Sequence, residues 1–259
     1  VGIVTTWFER GASYVSRQFR DIINEQHEVF IFARGEEYAQ NDPNWDLENV
    51  YWSTKRYSPL SYYIDEFEFK NWLKINDINI LIFNEQRYWP PILWARELGV
   101  KTLAYVDYYT EETAPLYSAY DGIICNTEKH IKAISKYTNA YYIPWGTNID
   151  LFKPISSGLV DTSNVTFFHS SGMNPYRKGT DLLIKSFYKI HDICDSKLII
   201  HTQKQLEQFE CFNDLHNEIK VLKDNSFKID GYDVELEYIH NPGIVDSNTP
   251  KFVLVGKKI

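Results

Sequence analysis

Cysteine is scarce: Cys125, Cys194 and Cys211 are the whole complement of the 259 residues. They are odd in number, lie far apart and form no C-x-x-C, so neither a disulfide framework nor a thiolate zinc site is signalled. A reducing cytoplasm is the expected compartment. Cations are outnumbered, 27 Lys and Arg against 35 Asp and Glu. The net charge of −8 repels polyanions unless a local basic patch overrides it, which argues against nucleic acid as a partner. Long apolar runs are also missing. No stretch approaches the roughly 20 residues of a bilayer span. The chain starts at Val1 without an initiator Met, as a trimmed or partial chain would, and no basic region precedes an apolar one there, so neither a transmembrane segment nor export is expected. The 7 His include no H-E-x-x-H and no close pair, which disfavours metal ligation. The G-x-S-x-G elbow of acyl hydrolases is absent as well.

Aromatic residues are in excess, with 7 Trp, 19 Tyr and 15 Phe. Such side chains fill cores and also stack on sugars and bases, so the excess leans slightly towards a carbohydrate-related site, with core filling the simpler account. From the first residue, short apolar runs alternate with amphipathic stretches, the βαβ pattern of a parallel sheet covered by helices. Strands are expected over Val1 to Thr6, Glu28 to Ala33, Asn49 to Trp52, Asn79 to Phe83, Lys101 to Val106, Gly122 to Cys125 and Ala140 to Ile143. Val15, Phe19, Ile22 and Ile23 mark one buried helix face, and further helices are expected near Leu60 to Ile75, Pro91 to Leu98 and Glu128 to Tyr137. Turn formers between Pro144 and Pro154, followed by the polar run Ser156 to Asn164, mark a boundary. Beyond it a second series starts: strand Val165 to His169, helix Thr180 to His191, strand Lys197 to His201, a helix-forming stretch Lys204 to Leu222 and a strand Val234 to His240. That second series is short for a full nucleotide-binding half.

Two strand-to-helix turns carry the chemistry of interest, because ligands in open α/β sheets sit at the carboxyl ends of strands. The first is Thr5 to Ser13, where Gly11, Ala12 and Ser13 open a helix. The second is His169 to Gly179, with Arg177 and Lys178 immediately ahead of a helix. Two cations at a helix N-terminus oppose the dipole, which favours anions there, and an anionic ligand resolves the conflict. Arg grips phosphate bidentately and Lys adds a point charge, so the turn reads as a diphosphate cradle. His169 and His201 at strand ends read as structural histidines, and Glu111-Glu112 as a solvated pair.

The segment from Pro144 through Trp145-Gly146-Thr147-Asn148-Ile149-Asp150-Leu151-Phe152-Lys153 to Pro154 resembles the "IPNGVDxxxFxP" linker of the retaining GT-B glycosyltransferases of family 4. Arg177-Lys178-Gly179-Thr180-Asp181-Leu182-Leu183 resembles their "KGxDLLL" element, and Gly11-Ala12-Ser13 suits their first loop. The resemblance implies an α/β fold of GT-B type, two Rossmann-like doubly wound domains with the second truncated. The divisions are then residues 1–145 on the acceptor side, a linker 146–164 and a partial nucleotide-sugar domain 165–259. It also implies transfer of a sugar from a nucleotide diphosphosugar, with retention at the anomeric carbon, to a carbohydrate or glycolipid acceptor, as in polysaccharide biosynthesis. Beyond those substrates neither cofactor nor metal is implied. Lys178 would contact the donor diphosphate. The family's companion Arg falls about where this chain has Gly172, so that either Arg177 substitutes for it or the contact is lost. Thr202, Gln203 and, at a strand end, His240 would lie near the nucleoside.

Two departures from the family bear on activity. Many members carry a His-Asp pair where this chain reads Val106-Asp107, which leaves Asp107 as polar lining near the transferring sugar. The family's acidic Glu-x7-Glu motif has no match after Val234. The second reading is therefore a non-catalytic or truncated nucleotide-sugar-binding module of the same fold. A nucleotide-sugar epimerase is disfavoured by the linker and the Lys178 element.

Overall fold

The computed structural model describes residues 1–34, 39–57, 62–150, 152–153, 165–172, 174–191 and 196–202, and the backbone of four later strands. The chain divides into two compact units, Val1–Phe152 and Lys153–Ile259.

The first unit has seven strands: β1 (Gly2–Thr5), β2 (Phe30–Ala33), β3 (Val50–Trp52), β4 (Ile80–Asn84), β5 (Lys101–Tyr105), β6 (Gly122–Cys125) and β7 (Ala140–Tyr142). They form one parallel sheet in the order β3-β2-β1-β4-β5-β6-β7. Each expected strand is present, with its ends moved by a residue or two. Side chains alternate between two apolar clusters, as a sheet buried on both faces requires. Val4, Phe32, Leu81, Phe83, Ala104, Ile123 and Cys125 face one cluster; Ile3, Ile31, Ala33, Ile82, Tyr105 and Ile124 face the other.

Helix α1 (Gly11–Ile23) covers the second of these faces through Val15, Phe19 and Ile23, joined by Trp7 and Trp45; Ile22, expected on the same face, is exposed instead. Helices α2 (Glu66–Ile75), α3 (Pro90–Glu97) and α4 (Glu128–Ile134) cover the first. The architecture is thus the expected α/β class, doubly wound in this unit. Helix α2 starts later than the expected Leu60 because Asp65 caps it, its carboxylate accepting from the Glu68 N–H at 3.0 Å. Helix α3 opens on Pro90 and stops at Gly99, whose φ of +76° is a conformation that glycine takes without strain. A short 3-10 helix, Ala114–Ala119, lies between β5 and β6.

The second unit begins in the same way. Strand β8 (Val165–Gly172), helix α5 (Thr180–His191) and strand β9 (Ser196–Thr202) form a βαβ unit with β8 and β9 parallel. Buried Ile184 and Phe187 of α5 share the core with Leu198 and Ile200 of β9. The sheet then continues with antiparallel strands: β10 (Lys220–Val221), β11 (Ser226–Ile229), β12 (Tyr232–Tyr238) and β13 (Phe252–Lys257), in the order β10-β11-β12-β13-β9-β8. Strand β12 corresponds to the run expected over Val234 to His240. Of the helix-forming stretch Lys204 to Leu222, Lys220–Val221 is strand β10; residues 203–219 and Leu222 lie outside the described residues, as does the polar run Ser156 to Asn164. Among the described residues no helix is long and apolar enough to cross a membrane.

Phe32 is fully buried and its ring centroid lies 5.3 Å from that of Tyr51, 5.5 Å from Phe69 and 5.3 Å from Trp72. Its replacement by Ala leaves a cavity bounded by rings that cannot collapse far. We expect Phe32→Ala to destabilise the first unit by about 3–5 kcal/mol in urea unfolding, whereas Leu116→Ala, at a half-exposed site, stays within about 0.5 kcal/mol of the parent.

Candidate functional site

In the first sheet the strand order reverses between β1 and β4, and the crevice outside the carboxyl ends at such a reversal is where open α/β sheets take ligands. The residues that follow β1 and β4 build it. Asn84, fully buried at the end of β4, donates from Nδ2 to the Ala12 carbonyl at 2.7 Å and to the Ser16 hydroxyl at 2.8 Å. Ser16 in turn lies 2.7 Å from the Thr5 hydroxyl. These bonds pin the first turn of α1 against the sheet.

The three residues expected to line this loop divide in role. Ala12 and Ser13 are buried, and Ser13 Oγ faces the Thr6 hydroxyl at 3.3 Å and accepts from the Phe8 N–H at 3.4 Å. They hold the turn. Gly11 faces outward: a Cβ added there meets no atom within 4 Å. Arg10, the residue before α1, supplies no side-chain cap and instead pairs with Glu85 at 3.4 Å.

Arg34, buried after β2, reaches across to the loop after β4. Its Nη1 donates towards the carbonyls of Asn84 at 3.2 Å and Glu85 at 3.3 Å and towards Gln86 Oε1 at 3.0 Å. Gln86 Nε2 then donates to the Tyr62 and Tyr88 carbonyls at 2.9 and 2.8 Å. The guanidinium groups of Arg34 and Arg87 both lie over the Tyr62 ring, at 4.6 and 5.4 Å from its centroid. Tyr62 and Glu85 have φ values of +64° and +53°, left-handed conformations that cost a non-glycine residue about 1–2 kcal/mol and that this network maintains.

At the ends of β5 and β6, Tyr105, Asp107 and Asn126 form a second polar cluster. The Tyr105 hydroxyl donates to Asp107 Oδ1 at 2.6 Å, and Asn126 Nδ2 donates to the Tyr105 hydroxyl at 2.8 Å and to Asp107 Oδ1 at 3.2 Å. Burial, then the bond to Asp107, pushes the Tyr105 phenol far above its ordinary range, so it stays protonated and keeps donating. Burial lowers the His130 pKa, and the Asp107 carboxylate only partly offsets this. The Trp145 indole meets the Tyr105 ring edge-on at 5.5 Å. Glu111 and Glu112 are both exposed.

In the second unit, the turn between β8 and α5 runs through residues 174–179. Asn174 Oδ1 accepts from the Arg177 N–H at 2.9 Å, the Thr180 N–H bonds back to the Pro175 carbonyl at 3.0 Å, and Gly179 takes a φ of +66°. Arg177 and Lys178 are exposed immediately ahead of α5. His169 Nε2 and the Thr180 hydroxyl are 2.9 Å apart, tying the strand to the helix start. Burial and, after it, the Lys178 charge lower the His169 pKa. Ser171 is fully buried. Gly172 and Thr202 are register partners at the carboxyl ends of β8 and β9, beyond an irregularity at Ser170 to Gly172. Gln203 and His240 lie outside the described residues.

Asn84, Arg34, Gln86 and Asn126 were not singled out from the sequence. All four stand one to three residues past an apolar run, Arg34 after Phe30 to Ala33, Asn84 and Gln86 after Ile80 to Phe83, and Asn126 after Gly122 to Cys125, which is the signal that points to them. Among the described residues no group of three or more His, Cys, Asp or Glu side chains is placed to hold a metal ion.

No protein-family model and no curated protein matches the chain. Among solved structures, the crystal structure of Acinetobacter baumannii MurG matches with 15% sequence identity and a TM-score of 0.46, covering 84% of this chain and 62% of that one. This chain therefore spans less than two thirds of the length of that structure, and an overlap of this quality carries no argument about what the chain does.

Two half-buried histidines give the fold a pH dependence of defined sign. Both His130 and His169 have folded-state pKa values below the ordinary one, so the unfolded chain binds more protons as the pH falls below about 6.5. Their contribution is complete above that pH and is lost on acidification towards the lowered folded values. Thermal melts from about pH 7.5 to 5.5 are expected to show a falling Tm, with a shallower fall in His130→Gln.

Proposed function

We propose that the chain is a glycosyltransferase-type protein of the GT-B kind. In this reading it takes a sugar from a nucleotide diphosphosugar and passes it, with retention of anomeric configuration, to a carbohydrate or glycolipid acceptor. The observation that carries the reading is the pair Arg177 and Lys178, exposed ahead of α5 in a βαβ unit. Two cations where the helix dipole already favours an anion make a position that a diphosphate completes. The two groups offset the charge that develops on the departing diphosphate, which stabilises the leaving group electrostatically. By the resemblance to family 4, Thr202, at the end of β9, Gln203 and His240 are assigned to the nucleoside, and Gly172, the register partner of Thr202 on β8, holds the place of the family's companion Arg to the diphosphate. Gly11, Ala12 and Ser13 belong to the acceptor side, and Asp107 lines the place of the transferred sugar.

The linker-like segment Pro144 to Pro154 and the Arg177 to Leu183 element support this reading by their resemblance to family 4. The missing Glu-x7-Glu after Val234 favours a second reading, in which residues 1–259 bind the nucleotide sugar and turn it over little or not at all. Such a transfer needs the donor's hydroxyls held in register, and losing positioning contacts removes orders of magnitude from the rate.

Two measurements test these readings. Calorimetry should show uridine or guanosine diphosphate binding weakly, and Lys178→Ala should weaken it by about 1.5–3 kcal/mol; equal affinities in the two proteins place the diphosphate elsewhere. Incubation with labelled nucleotide sugars should yield transfer or hydrolysis far below the enzyme median of about 10 per second. Turnover at that median overturns the binding-only reading.

A further inference from the structure

Strand β8 is a sheet edge without the protection that the other edges carry. It ends the order β10-β11-β12-β13-β9-β8 and, among the described strands, pairs only with β9. Folded proteins blunt such edges by keeping them short, or with charge, proline or a bulge. The other described edges are short: β3 and β7 have three residues each, and β10 has two, one of them Lys220. Strand β8 has eight residues, Val165 to Gly172, with no Lys, Arg, Asp, Glu or Pro among them. Its one irregularity lies at the carboxyl end, between Ser170 and Gly172. Burial and then the Lys178 charge lower the His169 pKa, which keeps the strand uncharged near neutral pH.

Both faces of this edge carry a ring whose packing is unfinished. Side chains alternate along the strand. Phe167 and His169 meet α5, the first through Phe187 at 6.2 Å between ring centroids and the second through Thr180 at 2.9 Å. Thr166, Phe168 and Ser170 take the opposite face and are exposed. Phe167 remains 37% exposed beside α5, and Phe168 is 68% exposed. The occupant therefore has to supply hydrogen bonds along the edge and apolar cover on two sides of it. An isolated extended peptide gives the first and has no layer to place over Phe167. A second copy gives both, because its β8 brings its own α5. Antiparallel pairing of β8 with itself, about a two-fold axis perpendicular to the sheet, keeps both α5 helices on one side. It groups the Phe167 rings there and the Phe168 rings on the other side, and no charged residue of one strand faces another.

We propose that β8 is the interface of a homodimer, in which the six-stranded sheets of two chains join through antiparallel β8 strands into one continuous sheet. Each chain presents one long uncharged edge among its described strands, so the contact is isologous and closes at two copies instead of growing into a filament. The proposal goes beyond the glycosyl-transfer reading and uses none of its ligands.

The test is sedimentation velocity on the full chain at neutral pH, at loading concentrations from about 1 to 200 μM. A monomer to dimer equilibrium is expected. Phe168→Lys, at an exposed position, sets two cations against each other across the axis and should raise the dimer dissociation constant at least tenfold. Ser170→Lys, also exposed, should act in the same direction, and it replaces the first variant if a thermal melt shows that one unfolded. Leu116→Lys, in the first unit, should leave the equilibrium unchanged. Hydrogen exchange of the parent, followed by mass spectrometry at both ends of the concentration range, should show extra protection at the high end over Val165 to Gly172. The proposal is overturned if the parent stays monomeric, if assembly runs past the dimer without a plateau, if both lysine variants associate like the parent, or if the extra protection falls on another segment. A synthetic peptide of residues 165–172 decides against the other occupant: a monomeric chain that binds it assigns the edge to an extended peptide and also overturns the dimer.

Discussion

A parallel sheet covered on both faces confines exposed chemistry to its edges. In the first unit Val4, Phe32 and Phe83 commit one face to α2, α3 and α4, and Ile3, Ile31 and Ile82 commit the other to α1. Polar side chains aimed from the middle of those strands would be buried without water. The chain therefore changes character at the carboxyl ends, where Thr5, Arg34, Asn84, Asp107 and Asn126 follow the apolar runs. Strand order then decides which of these ends are neighbours. Because β1 lies between β2 and β4, Asn84 reaches α1 and Arg34 reaches the loop after β4.

The polar residues at these ends do two kinds of work. Asn84, Ser13, Ser16 and Arg34 are buried and spend their hydrogen-bonding capacity on backbone and on each other. They hold the loops in place, including left-handed Tyr62 and Glu85. Asp107, Arg177 and Lys178 are exposed. They are the groups free to meet a ligand, and their signs differ: a carboxylate in the first unit and two cations in the second.

The aromatic excess divides along the same line. Trp7, Phe32, Phe69 and Phe83 are fully buried and account for much of it as core. Rings such as Tyr108 and Trp145 are left at the surface. Composition alone could not separate these uses, since a ring in a core and a ring on a rim have the same sequence signature until the strands are placed.

Local physics fixed most of the elements. Apolar runs bounded by turn residues marked β1 to β9 and β12, and the spacing of Val15, Phe19, Ile22 and Ile23 marked the buried face of α1 at every position but the exposed Ile22, because burial imposes its period directly on the chain. The turn ahead of α5 was legible from Arg177, Lys178 and Gly179, since a cation pair against a helix dipole is a local conflict that neighbours in sequence reveal. The cluster of Tyr105, Asp107 and Asn126 was legible only in part: Asp107 stood out, but its partner Asn126 follows another strand. The pinning of α1 by Asn84 and the clamp of Arg34 on Gln86 were not legible at all. Each joins residues dozens of positions apart through the order of β2, β1 and β4, and that order, together with the antiparallel continuation beyond β9, was decided by the tertiary structure. A strand's apolar run states that it pairs; it carries no record of the strand beside it.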